Sequence, residues 1–261
     1  MVVLSVGGVS LYMALFEDRF IYFPGKEISQ TPAAIGLTFS EHQFTSADSL
    51  ILHGWYMPHP SARFTLLHLH GNAGNISHRL SLYRRWHSLG LSVFAFDYRG
   101  YGKSAGEATE AGLYEDAKSA RAYVMQNLGV SASRLIISGR SLGAAVAVKL
   151  ATEQGSAGVV LETPFTNISD MAAYHYPWLP LRWLARSSFD TATMMRDLHA
   201  PLLLISAITD RIAPASMADH IFTVASQPKR HIRLAGGHND FDHLSERQYL
   251  NAWKNWLLTL H

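Results

Sequence analysis

Short, continuously apolar runs alternate with longer amphipathic stretches along the chain from residue 37 onward. Runs such as Val93–Phe96 contain no polar side chain, which is typical of strands buried on both faces of a parallel sheet. The first two runs instead flank the polar turn 46–49, as the strands of an antiparallel hairpin do. The pattern predicts eight strands: Leu37–Thr45, Leu50–Met57, Phe64–His70, Leu91–Asp97, Leu135–Ser138, Gly158–Glu162, Leu202–Ala207 and His231–Leu234.

Between these strands, apolar residues recur at the spacing of a helix. From Ile76 onward they return every three or four positions until Gly90 ends the pattern. The regular alternation of strands and helices predicts one α/β domain, a mostly parallel eight-stranded sheet with helices on both faces. Four of its helices are predicted over Ile76–Leu89, Leu113–Leu128, Leu142–Leu150 and Leu244–Leu260.

The stretch from about residue 166 to residue 199 breaks this alternation. Its central part, Tyr174–Leu184, is too rich in proline for a regular helix and too aromatic for an ordinary connection. Insertions of this kind commonly form a lid or one wall of a pocket. We therefore expect a small lid-like insertion; the alternative is a surface excursion that packs its own aromatic side chains.

The N-terminus is the one segment that suggests a membrane. Met1–Phe16 carries no charged side chain, and Glu17, Asp18 and Arg19 follow at once. A full span needs about 20 apolar residues, so the segment is marginal in length. We expect a membrane anchor over residues 1–16 and an otherwise cytoplasmic hydrolase domain over residues 17–261. The alternatives are an apolar helix docked on the domain and a signal peptide, although the positive n-region and the cleavage site are missing.

Composition excludes several classes of partner and chemistry. Only 16% of the 261 residues are charged, the net charge is +2, and no Lys/Arg run reaches five residues. The sequence therefore lacks the clustered basic residues that nucleic-acid binding requires. The chain has no cysteine, which excludes disulfides, thiolate metal ligands and a cysteine nucleophile.

Two Gly-x-Ser-x-Gly motifs compete as the nucleophile site, around Ser104 and around Ser141. The chemistry needs a serine on a sharp strand-to-helix turn, where the N-terminus of the helix favours developing negative charge. Ser141 lies between the predicted strand Leu135–Ser138 and an Ala/Val-rich helix, whereas Ser104 follows a loop and precedes a polar stretch. We therefore predict Ser141 as the nucleophile.

A serine needs a histidine base and an acid to orient it, and in this arrangement they follow in the order Ser, acid, His. His238 comes after the last predicted strand through a Gly236-Gly237 turn that can aim its side chain back across the sheet. Asp210 ends the preceding strand region, which is the expected position of the acid. Asp240 and Asp242 are weaker candidates for this role because they suit turn or capping positions.

Two backbone N–H groups are needed to bind the oxyanion. We assign one to Leu142, directly after the nucleophile, and the other to Asn72 in the loop after strand Phe64–His70, with Ala73 as the next choice. A metal site is the rival interpretation, because 238–243 is rich in potential ligands and His68 and His70 share one face of a strand. We expect neither a metal nor a cofactor, because the serine constellation already accounts for His238.

The combination of motifs resembles one known family. Its elements are Ile21-Tyr22-Phe23-Pro24-Gly25, His70-Gly71-Asn72-Ala73-Gly74-Asn75, the segment 97–106, Gly139-Arg140-Ser141-Leu142-Gly143, Asp210 and Gly237-His238-Asn239-Asp240. Together they resemble α/β hydrolases of the abhydrolase-domain type, in the branch of bud-emergence-protein-like serine hydrolases. The resemblance implies the α/β-hydrolase fold, a single N-terminal membrane anchor and a structural role for the loop that holds Ser104.

The resemblance also bears on the substrate. Some eukaryotic relatives remove fatty acyl groups from protein cysteines, which suggests carboxylic esters or thioesters. We therefore expect a cofactor-free serine hydrolase that acts on a small-molecule or acyl substrate through an acyl-enzyme. A peptidase or lipase on the same fold and a non-catalytic binding scaffold are the alternatives, and the insertion Tyr174–Trp183 matches no feature of the family.

Overall fold

A computed structural model describes residues 2–260 and contains a central sheet of eight strands, numbered β1–β8 in chain order. All eight coincide with the predicted strands to within a few residues. The largest difference, three residues, lies at the start of β1, and the end of β5 and the start of β8 each differ by two. The strands span Ser40–Thr45, Ile51–Met57, Thr65–Leu69, Ser92–Asp97, Leu135–Arg140, Gly158–Glu162, Leu202–Ala207 and Lys229–Leu234.

The strand order across the sheet is 1-2-4-3-5-6-7-8. β2 runs antiparallel to β1 and β4, and the remaining neighbours are parallel. The predicted hairpin is present, and its turn is closed by a hydrogen bond from Ser46 N to Leu50 O at 2.8 Å. The mostly parallel sheet confirms the predicted fold class.

Ten α-helices, α1–α10, are found within the described residues. Five of them have ten or more residues. The four predicted helices are all present, although the first begins as a 3₁₀ turn at Ile76–Arg79. The ten span Val2–Leu15, Asp18–Ile21, Leu80–Ser88, Glu110–Asn127, Leu142–Gln154, Ile168–His175, Thr191–Met194, Ala215–Val224, Phe241–Leu244 and Glu246–Leu257.

The sheet separates two apolar cores. On one face, α4, α5 and α8 contribute buried residues such as Val124, Val146 and Ile221. On the other face, Trp86 of α3 and Trp253 of α10 pack under the sheet. Because both faces are covered, the central strands are buried along their whole length, as their continuous apolar runs predict.

Parallel strands bring their carboxyl ends to one edge of the sheet, and loops at that edge commonly form the binding site. The loops after β3, β5, β7 and β8 carry Asn72, Ser141, Asp210 and His238 respectively. The topology therefore gathers the predicted site residues from distant parts of the chain.

The transmembrane interpretation of residues 1–16 is not supported. α1 has 14 residues, whereas a bilayer span needs about 20. Among residues 2–260, no helix combines the length and the apolar character needed to cross a bilayer. Instead, Glu17 at the end of this segment is buried, and its carboxylate accepts hydrogen bonds from the backbone N–H groups of Arg186 and Ser187 at 3.0 and 3.3 Å. This end of the segment is thus docked on the insertion.

Candidate active site

Ser141 occupies a strained turn between β5 and α5. Its φ of 55° and ψ of −117° lie outside the regions that side-chain-bearing residues ordinarily adopt. Leu142 is the first residue of α5, so the amides at this helix N-terminus lack partners one turn earlier. The turn therefore sets a partly exposed hydroxyl beside free backbone donors.

The two glycines of the motif are required by space. A Cβ at Gly143 would overlap the carbonyl oxygen of Leu69 at the end of β3, and a Cβ at Gly139 would overlap the backbone of Gly143. The helix can leave the strand at such a sharp angle only because both positions lack a side chain. Ser141 N also donates to Glu162 O at 2.9 Å, which ties the turn to β6.

Asp210 and His238 meet as predicted, although they are 28 positions apart. His238 Nδ1 donates to Asp210 Oδ2 at 2.7 Å, and both side chains are buried. The other carboxylate oxygen, Oδ1, accepts from Ile212 N and Ala213 N, each at 2.8 Å. Asp210 is therefore held by its own loop while its second oxygen contacts the imidazole.

The rival residues have other partners. Ser104 is buried, donates to Asp97 O at 2.6 Å and accepts from His53 N at 3.0 Å. Asp240 accepts from Gly237 N at 2.6 Å within its turn, and Asp242 pairs with Arg85 at 2.9 Å. These contacts stabilise loops, whereas Asp210 accepts from His238 and Ser141 lies on the turn between β5 and α5.

Arg140, whose role the sequence did not indicate, connects the Ser141 turn to the His238 loop. Its buried guanidinium donates to His238 O at 3.0 Å and to Asp242 Oδ1 at 3.2 Å. Within residues 2–260, no hydrogen bond joins the Ser141 hydroxyl to His238, and such bonds are often long in the absence of substrate. The sequence shows that Arg140 precedes Ser141, but it does not show that Arg140 contacts a loop about 100 residues away.

Glu162, at the end of β6, lies behind this connection. Its Oε2 is 3.9 Å from Arg140 Nη1, and its Oε1 accepts from Tyr249 Oη at 2.6 Å. Complete burial raises the pKa of Glu162 to about 7, against the opposing effect of the nearby Arg140. The carboxyl therefore keeps its proton to a higher pH than an exposed glutamate does.

Both residues predicted for the oxyanion hole lie beside Ser141. Asn72, Ser141 and Leu142 line one cavity of about 310 Å³. The loop that holds Asn72 is fixed from outside, because Asn72 Nδ2 donates to Ile21 O at 3.0 Å and Tyr101 Oη donates to Asn72 O at 2.8 Å. Asp210 and His238 are not among the residues that line it, although Ile212, two residues after Asp210, is.

The far walls of the cavity come from two segments. One is the insertion after β6, which contributes α6 and the 3₁₀ turn Pro180–Trp183. The other is the N-terminal segment, with Met13 and Ala14 of α1 and Ile21 of α2. A docked N-terminal helix was only an alternative in the sequence, because an apolar segment of this length suits a lipid environment as well as a protein cavity.

The residues considered for a metal site do not converge in the structure. His68 packs against Trp86 at 4.7 Å between ring centres, whereas His70 lies against Tyr98 at 4.5 Å. Burial lowers the pKa of His70 to about 4. In the part of the chain that is described, no group of three or more His, Asp or Glu side chains has the spacing of a metal site.

Comparison with known proteins shows the family of the chain. Residues 60–195 match the family model described as serine aminopeptidase, S33. The esterase Pf2001 of Pyrococcus furiosus superposes with a TM-score of 0.79 over 92% of this chain and 98% of its own, at 18% identity. The chain is thus an α/β hydrolase.

Two relatives identify the branch. The chain is 31% identical to protein bem46 of Schizosaccharomyces pombe over 84% of its own length and 78% of that protein. It is 38% identical to protein Rv2307c of Mycobacterium tuberculosis over 98% of its own length and 92% of that protein. The chain belongs to the bem46-like branch of the α/β-hydrolase family.

The overlap at Gly143 predicts a large loss of stability on adding one methyl group. Gly143→Ala forces α5 away from Leu69 O, and overpacking of this kind costs about 1–3 kcal/mol or more. Urea unfolding should show a lower midpoint. Gly8→Ala, in open space on α1, is the matched control and should be neutral or slightly stabilising. Equal midpoints for the two variants would contradict the proposed steric requirement.

The raised pKa of Glu162 predicts a pH-dependent stability. Between its ordinary pKa of 4.5 and about 7, the folded protein holds more protons than the unfolded chain, so the free energy of unfolding falls as pH rises through this range. Glu162→Gln cannot ionise and keeps an acceptor for Tyr249. From pH 5 to about 8, wild type should lose on the order of 3 kcal/mol relative to this variant. Urea unfolding of both proteins across this range tests the difference, and a constant difference would show that Glu162 titrates normally.

Proposed function

We propose that this hydrolase cleaves carboxylic ester or thioester bonds through a covalent acyl-enzyme. Ser141 is the nucleophile, His238 the general base and acid, and Asp210 the residue that orients His238. The backbone N–H groups of Leu142 and Asn72 receive the oxyanion. The site supports attack by a serine on a carbonyl carbon, and the choice of esters and thioesters comes from the family resemblance.

The observation that carries this proposal is the Asp210–His238 hydrogen bond of 2.7 Å beside the Ser141 turn. A carboxylate on Nδ1 keeps the Nε2 lone pair free to accept a proton and stabilises the imidazolium that results. Arg140 joins the two parts of the site through its hydrogen bond to His238 O. Together, these contacts support a base oriented for a serine on the adjacent turn.

The reaction proceeds in two halves. The Ser141 hydroxyl loses its proton to His238 Nε2 as Oγ bonds to the carbonyl carbon, and the resulting oxyanion binds the two N–H groups. The bond to the leaving group then breaks as His238 returns the proton to the departing oxygen or sulfur. Water, deprotonated by His238, attacks the acyl-enzyme, and the acid product leaves as Ser141 recovers its proton.

The name of the matching family raises an aminopeptidase as a second candidate. A carboxylate that is not already hydrogen-bonded to the protein binds a substrate's α-amino group most strongly. Of the described residues that line the cavity, one is acidic, Glu17, and both of its oxygens accept backbone hydrogen bonds from Arg186 and Ser187. This arrangement favours acyl esters and thioesters over aminoacyl substrates.

Ser141→Ala should abolish catalysis while leaving the fold intact, because the side chain is partly exposed and only its hydroxyl is removed. We expect a loss in kcat of about 10⁴-fold or more and no covalent labelling by a fluorophosphonate probe. Hydrolysis of p-nitrophenyl butyrate measures the first effect, and gel fluorescence measures the second. Circular dichroism checks the fold.

The second motif supplies a matched control. Ser104→Ala removes the other Gly-x-Ser-x-Gly hydroxyl, whose hydrogen bonds lie inside the domain, so this variant should still be labelled. If Ser141→Ala is still labelled and still turns over the ester, Ser141 is not the nucleophile. Faster cleavage of aminoacyl p-nitroanilides than of acyl esters would instead favour the aminopeptidase.

A further inference from the structure

We propose that the cavity beside Ser141 binds the acyl chain of the substrate and that the N-terminal segment, residues 13–21, limits the chain length it accepts. This inference rests on the proposed function for its catalytic test. The cavity begins at Ser141 and Leu142, where the acyl carbonyl carbon must lie. It continues between α6 and the N-terminal segment.

Two of the polar side chains that line the cavity, Glu17 and His175, are engaged with the protein. Both oxygens of Glu17 accept from backbone N–H groups of the insertion, and His175 Nε2 donates to Ile212 O at 2.8 Å. The remaining walls are mainly apolar, with Phe165, Met171 and Leu181 among them. A ligand there gains from apolar burial and finds few free hydrogen-bonding partners, which suits a hydrocarbon chain.

The N-terminal wall is fixed to the site rather than loosely apposed. Phe23 N donates to Asn72 O at 3.0 Å, and Phe23 and Pro24 pair with Ala73 and Gly74 as a short parallel ladder. Buried Tyr22 packs edge-on against Phe189 of the insertion, with ring centres 6.4 Å apart. With the hydrogen bonds of Glu17 to the insertion and of Ile21 O to Asn72 Nδ2, these contacts hold the segment against the site, and its residues Met13 and Ala14 line the cavity.

The size of the cavity sets the expected chain. A methylene group and a water molecule are of similar size, and water occupies about 30 Å³, so 310 Å³ holds on the order of ten carbons. Each methylene buried there should raise kcat/KM by up to about fourfold. Activity should therefore rise from acetyl to decanoyl esters and fall for hexadecanoyl esters.

Filling the cavity from its N-terminal wall tests the inference. Ala14→Phe should lower the ratio of kcat/KM for p-nitrophenyl decanoate to that for the acetate by at least about tenfold, measured below the micellar concentration. Leu15→Phe is the matched control, because the neighbouring Leu15 is 62% exposed and lies outside the cavity. It should leave the ratio at the wild-type value.

A second variant and a second readout keep the test independent of any single substitution. Met171→Trp fills the cavity from α6 and should lower the same ratio. Calorimetric titration of Ser141→Ala with decanoate should show binding that Ala14→Phe, added to it, weakens by at least about tenfold. A flat chain-length profile, or ratios that neither cavity-filling variant alters, would overturn the inference.

The two proposals fail in different ways. If wild type cleaves no ester but decanoate binds and Ala14→Phe weakens that binding, the acyl cavity stands and the hydrolytic assignment falls. If esters are cleaved in a Ser141-dependent way but decanoate does not bind, the hydrolase stands and the acyl cavity falls.

Discussion

The close approach of β3, β5 and α5 around Ser141 is the constraint on which the rest of the site depends. α5 leaves the sheet so sharply that Gly143 abuts the Leu69 carbonyl and Gly139 abuts Gly143. The same geometry forces Ser141 to a φ of 55° and directs the N-terminus of α5 toward the cavity. Strain of this kind persists only where surrounding structure over-determines it, and here two buried strands and a buried helix do so.

A buried charge network continues that constraint away from the cavity. Arg140 would be costly to bury alone, but Asp242 and the His238 carbonyl lie within hydrogen-bond distance, and Glu162 is near. Arg85 occupies the second oxygen of Asp242 at 2.9 Å. The ion pairs of Asp242 with Arg140 and Arg85 thus hold the His238 loop against the Ser141 turn, because breaking them would leave a buried charge without a partner. Such a network favours one arrangement of the two loops over others.

Much of this was predictable because the relevant signals are local. Runs buried on both faces identify parallel strands, and residues that follow such strands meet at one edge, which is how Asp210 and His238 could be named. The end of β5 was predicted too early, at Ser138, because Gly139 and Arg140 are not apolar. The strand continues there because its backbone pairs with β6, and distant partners neutralise the charge of Arg140. Partners that far along the chain leave no periodic signal.

The N-terminal segment shows where a local signal is ambiguous in principle. Burial of an apolar helix lowers the free energy in lipid and against protein alike, so a charge-free stretch does not specify its surroundings. The deciding contacts are polar and non-local: the Glu17 carboxylate on the insertion, and the Ile21 carbonyl that accepts from Asn72 Nδ2. Through Ile21 and Phe23 the segment is bonded to the loop proposed to bind the oxyanion. Because Ile21 also lines the cavity, the wall of the cavity and the loop of the proposed oxyanion donor are joined by a direct hydrogen bond.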